Sequence, residues 1–275
     1  MSHDSQEPMI RVEDLTTYYG ERRILDRVSL QVQAGETLVI LGGSGTGKST
    51  LLRHLIRLEP PPRSGHIYIK DRDIYAMPED EFNLVRQKIG MAFQGAALFN
   101  SMTVEDNVAL PLRELTSLED STIRIVARMK LEQVGLSGVE NYLPSQLSGG
   151  MKKRAGVARA MAMDPEILLF DEPSAGLDPI TAAGIDQLIL RLKQVFQMTI
   201  VVVTHEMPSA ALIADRVAMM FRGKVVAMGT LQQVRANPDP WVQQFLNRVP
   251  DDESKADSSY LRELIGPADV IEAAE

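Results

Sequence analysis

The chain of 275 residues contains no cysteine. Disulfide bonds and zinc sites with cysteine ligands are therefore excluded, although this absence alone does not identify the cellular compartment. Long hydrophobic runs are absent too, because stretches such as TLVIL, ILLF and TIVVV are far shorter than a membrane-spanning helix requires. The N-terminal MSHDSQEP lacks the basic and apolar segments of a signal peptide. We therefore expect a soluble, cytoplasmic protein that reaches a membrane only through a partner.

An excess of positive charge is also missing, since 29 Lys and Arg residues against 37 Asp and Glu residues give a net charge of -8. A general nucleic-acid binder would need a basic face to displace the counterions of its ligand, so the net charge argues against this class of protein. The hydrophobic fraction of 44% and the charged fraction of 24% are typical of a globular protein. The length suits one large domain or a core domain with an inserted subdomain.

Hydrophobic periodicity changes along the chain. Residues 10–40 alternate between apolar and polar, which predicts an antiparallel β segment leading into a buried strand at Thr37–Leu41. Residues from about 98 to 162 carry apolar side chains at helical spacing. Further on, ILLF and TIVVV are separated by the helical pattern ITAAGIDQLILRLKQVF, a βαβ rhythm typical of a parallel sheet covered by helices. The sequence predicts an α/β core with an antiparallel β subdomain and an inserted α-helical subdomain at about 98–162.

The segment GGSGTGKS fits the pattern G-x-x-x-x-G-K-[ST] and lies between a predicted buried strand and a predicted helix. Its glycines allow backbone N–H groups to close around phosphates, and the helix N-terminus adds positive potential. Lys48 is expected to reach the β- and γ-phosphates, and Ser49 to bind Mg²⁺. The predicted phosphate-binding residues are Gly42, Gly43, Ser44, Gly45, Thr46, Gly47, Lys48, Ser49 and Thr50.

Two other apolar runs end in chemically active side chains: Asp171 and Glu172 follow ILLF, and His205 follows IVVVT. Ligands of open α/β sheets bind beyond the carboxyl ends of the strands, so these residues are expected near the phosphate loop. Asp171 suits Mg²⁺ coordination through water. Glu172 is able to activate or orient an attacking water, and His205 to hold the γ-phosphate. With Lys48, Glu172 and His205 are the predicted catalytic residues.

A second glycine-containing loop, LSGGMKKRAG, begins about a hundred residues after the first. Ser148 is able to cap the following helix, which is one interpretation. The other is a second γ-phosphate site at a helix N-terminus. Lys152, Lys153 and Arg154 lie in the first turns of that helix, where positive charge opposes the helix dipole unless an anion is bound.

Together these motifs resemble those of ABC-transporter ATPases, in the same order along the chain. The matching segments are Gly42–Ser49, LSGGM at Leu147–Met151, ILLFDEP at Ile167–Pro173, SAGLDP at Ser174–Pro179 and TH at Thr204–His205. The resemblance extends from about residue 10 to residue 245. It implies a P-loop NTPase (RecA-like) core, ATP hydrolysis with Mg²⁺, an ATPase domain at 9–246 and a C-terminal extension at 247–275.

The resemblance also implies a head-to-tail homodimer in which the LSGGM loop of one chain faces the ATP held by Lys48 of the other. The nucleotide-facing residues of that loop would be Ser148, Gly149, Gly150 and Met151. Met151 stands where the family more often has glutamine, whose hydrogen bonds a methionine cannot make.

Three residues outside these loops receive roles from the same resemblance. Tyr19 would stack on adenine, with Tyr18 as its competitor. Gln94, which by spacing alone is only a polar loop residue, would contact Mg²⁺ and couple the ATPase to a permease. Asp178 would cross the dimer interface.

Several stretches, among them LSGGMKKRAG, FQGAALFNSMTVEDNVALPLRE and ANPDPWVQQFL, are similar to the ATPases of Mla-type phospholipid transporters. This similarity implies a MlaE-like permease, an MCE-domain (MlaD-like) protein and a STAS-domain (MlaB-like) subunit as partners, at the cytoplasmic face of the inner membrane. A transporter for another cargo is the alternative. A non-transport ABC protein is disfavoured, because such proteins usually carry paired ATPase domains or long coiled-coil insertions.

The acidic tail at 251–275 allows two interpretations. It is either disordered or an amphipathic anchor that docks on a neighbouring subunit through Tyr260, Leu261, Leu264 and Ile265. Deletion of the tail should weaken assembly only in the second case.

Overall fold

The computed structural model describes residues 7–250, so both interpretations of the 251–275 tail lie outside the described residues. The strands in chain order are β1 (Ile10–Tyr19), β2 (Arg22–Val32), β3 (Thr37–Leu41), β4 (Ser64–Ile69), β5 (Arg72–Asp73), β6 (Ile89–Ala92), β7 (Ile167–Asp171), β8 (Thr199–Thr204), β9 (Arg216–Phe221) and β10 (Lys224–Gly229). The α-helices are α1 (Lys48–His54), α2 (Glu79–Arg86), α3 (Val104–Leu115), α4 (Asp120–Gln133), α5 (Gly149–Ala160), α6 (Pro179–Phe196), α7 (Met207–Ile213), α8 (Leu231–Arg235) and α9 (Pro240–Leu246).

The strands form two sheets. An antiparallel sheet has the order β2-β1-β4-β5, and a six-stranded sheet has the order β10-β9-β3-β8-β7-β6. Strands β3, β6, β7, β8 and β9 run parallel, and β10 is antiparallel to β9. Because β3, β8 and β7 are neighbours, the three segments that follow them meet at one edge of the sheet. The predicted α/β fold, with its antiparallel β subdomain and inserted helices, is confirmed, and the predicted strand at Thr37–Leu41 has those bounds.

The six-stranded sheet is covered on both faces, which explains why its central strands β3, β7 and β8 are buried throughout and mostly apolar. Val39 and Leu41 of β3 point into a core shared with α3 to α7. Leu38 and Ile40 point into a second core, shared with α1 and the antiparallel sheet. Each strand therefore contributes alternate residues to two cores, and the sheet is a rigid support for the loops at its edge.

Helices α3, α4 and α5 lie in the segment between β6 and β7, as the helical periodicity predicts. The bounds proposed for this subdomain, 98–162, and for the whole domain, 9–246, stay predictions. Within residues 7–250, no helix combines the length and the hydrophobicity needed to cross a bilayer.

The hairpin formed by β9 and β10 was not predicted. Its strands are joined at Arg222 and Gly223, both of which have positive φ angles, 46° and 76°. Two consecutive residues with positive φ are characteristic of the tight turns that join antiparallel strands. The dipeptide Arg-Gly is thus the local signal that marks this hairpin.

Candidate functional site

The phosphate loop joins β3 to α1, as its sequence predicts. Gly47 has a φ of 95° and precedes α1 as its N-cap residue. At Gly42 a Cβ atom would lie 2.4 Å from the carbonyl oxygen of Met220. Larger residues at these two positions would strain the backbone or collide with β9. Ser44 and Gly45 are exposed at the tip of the loop. The Thr46 hydroxyl donates to the carbonyl of Gly43 at 3.0 Å.

Lys48 lies over this loop. Its Nζ atom donates to the carbonyls of Gly42 at 2.9 Å and Gly43 at 2.8 Å. It lies 3.9 Å from Oε1 of Glu172. Burial lowers the pKa of Lys48, while the carboxylates of Glu172 and Asp171 act in the opposite direction. The ammonium group thus bonds to two carbonyls of the phosphate loop. Phosphate oxygens could replace these carbonyls as its acceptors.

The donor set for a divalent cation consists of oxygen atoms. The Ser49 hydroxyl donates to Oδ1 of Asp171 at 2.7 Å. No cluster of three or more His, Cys, Asp or Glu side chains that could hold a metal ion occurs in the described part of the chain. One hydroxyl and one carboxylate suit Mg²⁺, which keeps several waters and binds through one or two protein carboxylates together with phosphate oxygens. These two side chains therefore fit a cation that arrives with a nucleotide.

Glu172 is buried between two basic side chains. Its Oε2 lies 2.9 Å from Nδ1 of His205, and its Oε1 faces Lys48. Its φ angle of 49° is left-handed, a conformation that is uncommon for residues other than glycine. The backbone N–H donates to the carbonyl of Val203 at 2.9 Å. The structure thus brings Lys48, Glu172 and His205 together, as predicted.

The two tyrosines at the end of β1 differ in their surroundings. Tyr19 is 45% exposed, and its hydroxyl donates to Glu59 at 2.6 Å and lies 3.4 Å from Oγ1 of Thr50. Tyr18 is half-buried, with the guanidinium of Arg63 5.0 Å from its ring centroid. Tyr19 is therefore the more accessible ring, and it stands beside the helix that follows the phosphate loop.

The LSGGM loop begins α5. Ser148 is exposed and caps the helix, accepting a hydrogen bond from the N–H of Met151 at 3.3 Å. The Met151 side chain packs against the larger core. Among residues 7–250, no hydrogen bond or ion pair joins Ser148, Gly149, Gly150 or Met151 to the phosphate loop of the same chain. The chain does not bring its two glycine-containing loops together by direct bonds.

Asp178 caps α6. Its carboxylate accepts hydrogen bonds from the N–H groups of Ile180 and Thr181 and from the Thr181 hydroxyl. These bonds lower the pKa of Asp178, with the Thr181 hydroxyl as the main cause. Asp178 is exposed, and the neighbouring Ile180 is 85% exposed.

Gln94 follows β6 with an exposed side chain, and its carbonyl accepts a hydrogen bond from Nζ of Lys153 at 2.5 Å. Lys153 also donates to the carbonyl of Glu172 at 3.0 Å. Arg154 donates to the carbonyls of Val134 and Gly184. Neither cation therefore needs an anion to account for its place in the first turns of α5. Only a bound anion was expected from the sequence to compensate for the unfavourable helix dipole, and these carbonyl contacts were not predicted.

Three sequence comparisons point to one protein family. The sequence profile of the family described as ABC transporter matches residues 25–175. The chain is 43% identical over 243 residues to the intermembrane phospholipid transport system ATP-binding protein MlaF of Escherichia coli K12, covering 88% of this chain and 90% of MlaF. It is 44% identical over 247 residues to the probable ribonucleotide transport ATP-binding protein mkl of Mycobacterium leprae, covering 89% of this chain and 71% of mkl.

Solved structures share the fold. The ATP-binding cassette MJ0796, in a dimeric post-hydrolysis state bound to ADP and Pi, superimposes with a TM-score of 0.74 at 33% identity, covering 81% of this chain and 99% of MJ0796. The cbiO1 protein of Clostridium perfringens superimposes with a TM-score of 0.76 at 29% identity, covering 87% of this chain and 95% of cbiO1. The chain belongs to the ABC transporter family as an ATP-binding subunit with ATPase activity.

Proposed function

We propose that this ATPase powers phospholipid transport between the inner and outer membranes, from the cytoplasmic face of the inner membrane. The observation that carries the proposal is the 43% identity to MlaF, which extends over 88% of this chain and 90% of MlaF. The methionine-containing LSGGM loop and the stretches around it support the same assignment.

ATP hydrolysis in this proposal uses the side chains gathered at the sheet edge. The N–H groups of the phosphate loop and Lys48 bind the β- and γ-phosphates, and Lys48 exchanges its carbonyl contacts for phosphate oxygens. Ser49 and Asp171 would hold Mg²⁺, with Gln94 as a further contact, and the cation would offset the negative charge of the phosphates.

Glu172 accepts the proton of the attacking water as ATP and water become ADP and phosphate. Its short contact with Nδ1 of His205 fixes the imidazole, so that the second ring nitrogen is left for a γ-phosphate oxygen. Lys48, Glu172 and His205 therefore act as one hydrolytic unit in this proposal.

Two chains are required for a complete site. In the proposed head-to-tail homodimer, Ser148, Gly149, Gly150 and Met151 of one chain meet the ATP bound by Lys48 of the other. Two observations support this: within residues 7–250 Ser148 makes no hydrogen bond to the phosphate loop of its own chain, and MJ0796 is dimeric in a state bound to ADP and Pi. The exposed Asp178 and Ile180 lie beside the LSGGM loop and would enter the same interface. Tyr19 would cover the adenine.

The proposed membrane partners are a MlaE-like permease, an MCE-domain (MlaD-like) protein and a STAS-domain (MlaB-like) subunit. Gln94 links the hydrolytic site to the permease in this proposal, because it stands at the junction of β6 with the helical segment. The competing cargo is ribonucleotide, which the name of mkl states. The protein mkl is as similar to this chain as MlaF is.

The cargo is tested by purifying the tagged chain with its native membrane complex in detergent and reconstituting that complex in vesicles. We expect a permease and an MCE-domain protein in the complex, and ATP-dependent transfer of fluorescent phospholipid. A Glu172→Gln complex of the same composition is the control and should transfer none. Co-purification with a permease and a soluble-solute receptor, and ATPase stimulation by ribonucleotide but not by phospholipid, would overturn the phospholipid assignment and leave the ATPase unaffected.

A further inference from the structure

We propose that Lys153 is a positioning residue, which fixes the backbone of Glu172 and ties it to the helix that carries the LSGGM loop. The inference rests on the proposed role of Glu172 as the base in ATP hydrolysis. It assigns a function to one residue of the basic run at the start of α5. Neither nucleotide binding nor the helix dipole explains why a lysine stands at this position.

The contacts of Lys153 are with main-chain oxygen atoms of two functional segments. Its Nζ atom donates to the carbonyl of Glu172 at 3.0 Å and to the carbonyl of Gln94 at 2.5 Å. The side chain is half-buried, and burial lowers its pKa, while the carboxylates of Glu172 and Asp171 oppose that shift. Hydrogen bonds from a partly buried cation are stronger than those between neutral groups, so these two bonds hold their carbonyls firmly.

Glu172 needs such support because its backbone has a left-handed conformation, with a φ of 49°. Left-handed backbone in a residue other than glycine is unfavourable and persists only where the surroundings hold it. The N–H of Glu172 donates to the carbonyl of Val203 at 2.9 Å, and its own carbonyl accepts hydrogen bonds from Nζ of Lys153 at 3.0 Å and from the N–H of Ala175 at 3.2 Å. Together with Val203 and Ala175, Lys153 therefore holds the main chain that aims the carboxylate at His205 and Lys48, and its bond is the one made by a side chain of α5.

The same face of α5 packs against the loop that contains Gln94 and forms hydrogen bonds with it. Lys153, Gly156 and Arg159 are three residues apart and share this face. Gly156 lies so close to Ala96 that a Cβ atom would be 3.2 Å from it. Arg159 donates to the carbonyls of Ala96 at 3.0 Å and Ala97 at 2.7 Å. Of these three residues, Lys153 is the one that also bonds to Glu172.

This arrangement connects two ATP sites. The first turn of α5 presents Ser148 to the ATP of the partner subunit in the proposed dimer, and Lys153 in the next turn bonds to the residue that acts on the chain's own ATP. A shift of the LSGGM loop as the dimer closes is thus passed through one side chain to Glu172. The bonds of Lys153 go to main-chain carbonyls rather than to the phosphate loop, so its loss should change turnover rather than ATP binding.

The test compares ATP hydrolysis by Lys153→Met, Lys153→Arg and the wild type. We expect Lys153→Met to lower kcat by about tenfold to a hundredfold, the scale of losses caused by misplacing a catalytic group. The KM for ATP should stay within about twofold, because the phosphate loop, Lys48 and Tyr19 make no bond to Lys153 and are untouched. Lys153→Arg keeps the donor and should retain most of the activity. Arg159→Met is the matched control, since it loosens the 96–97 carbonyls but leaves Glu172 held.

A role that acts through Glu172 also predicts non-additivity. Single-turnover hydrolysis by Lys153→Met/Glu172→Gln should equal that of Glu172→Gln alone. Normal turnover of Lys153→Met, or a full extra loss in the double variant, would overturn the inference. Lys153→Gln provides the same comparison if Lys153→Met does not fold. Normal turnover of Glu172→Gln would instead contradict the proposed role of Glu172 itself.

Discussion

Gly150 packs directly against Thr181, so that a Cβ atom at position 150 would lie 2.4 Å from the Thr181 methyl carbon Cγ2. The other branch of Thr181, its hydroxyl, donates to Oδ2 of Asp178 at 2.5 Å. One threonine thus joins the LSGGM loop to the Asp178 loop of the same chain. Gly150 is required by packing within the chain, independently of any nucleotide.

This packing predicts a compensating pair of substitutions. Gly150→Ala should lower the free energy of unfolding by about 1–3 kcal/mol, because the added methyl overfills the contact. Most of that loss should vanish in Gly150→Ala/Thr181→Ser, which removes the opposing methyl but keeps the hydroxyl. Thermal melting of the nucleotide-free chains measures both effects.

Two variants serve as controls for the Gly150 contact. Thr181→Val keeps a methyl in place and should not rescue Gly150→Ala. Gly149→Ala should cost less, since its Cβ would meet only the flexible Leu177 side chain at 3.3 Å. If Gly150→Ala lowered the melting temperature equally in the wild-type chain and in the Thr181→Ser variant, the two residues would not be coupled.

Glu172→Gln should preserve ATP binding and lower the hydrolysis rate by roughly a hundredfold or more, because the amide cannot accept the proton of water. The bound, unhydrolysed ATP should then stabilise a dimer, which size-exclusion chromatography with light scattering detects. Glu166→Gln, at the opposite end of β7 and paired with Lys70, is the control and should hydrolyse ATP normally. A fast Glu172→Gln enzyme would remove Glu172 from the mechanism.

Tyr19→Ala should weaken ATP binding by about three- to tenfold, the scale of one aromatic stacking contact. Tyr19→Phe keeps the ring and loses only the hydroxyl contacts with Glu59 and Thr50, so its affinity should stay near that of the wild type. Tyr18→Ala should have little effect, because that ring is half-buried beside Arg63. Titration with a fluorescent ATP analogue measures all three, and a larger loss for Tyr18→Ala would exchange the two roles.

His54 should make the stability of the chain sensitive to acid. It is 0% exposed, with Nδ1 2.7 Å from the Tyr75 hydroxyl and Nε2 3.2 Å from Oγ1 of Thr17. Burial lowers the pKa of His54 to about 4 from an ordinary 6.5, and the nearby Glu59 carboxylate only partly opposes this. Between those values the unfolded chain binds more protons than the folded chain, so stability falls as the pH falls through this window.

The expected loss attributable to His54 is about 2 kcal/mol between pH 7.5 and pH 5. Urea unfolding of the wild type and of His54→Gln at both pH values isolates this contribution, because the other titrating groups are common to both proteins. The His54→Gln chain should lose less stability on acidification. Parallel losses in the two chains would contradict the lowered pKa.

The sequence predicted best where local signals agree. Strand β3 was predicted with its observed bounds, because a threonine and four apolar residues lie between a turn and a glycine loop. The meeting of Lys48, Glu172 and His205 followed from the rule that ligands bind beyond the carboxyl ends of parallel strands. Strands β9 and β10 were missed, since the Ala and Met residues within them favour helices as readily as strands.

The bonds of Lys153, Arg154 and Arg159 could not be predicted, for a different reason. Their acceptors are main-chain carbonyls. Every residue has such a carbonyl, so the sequence does not indicate which carbonyl a side chain will contact. The basic run was visible, but its partners depend on how α5 lies against the loop after β6. Only the three-dimensional arrangement supplies that information.

The use of carbonyl acceptors has a consequence for the loop itself. Because Lys153 and Arg159 hold the main chain of residues 94–97, the loop keeps its place whatever side chains it displays. A Cβ atom at Gly95 would meet open space, whereas Ala97 is exposed but has a left-handed φ of 51°. Position 95 is therefore the one of this pair at which a new side chain could be displayed without straining the backbone or loosening the bonds that tie the loop to α5.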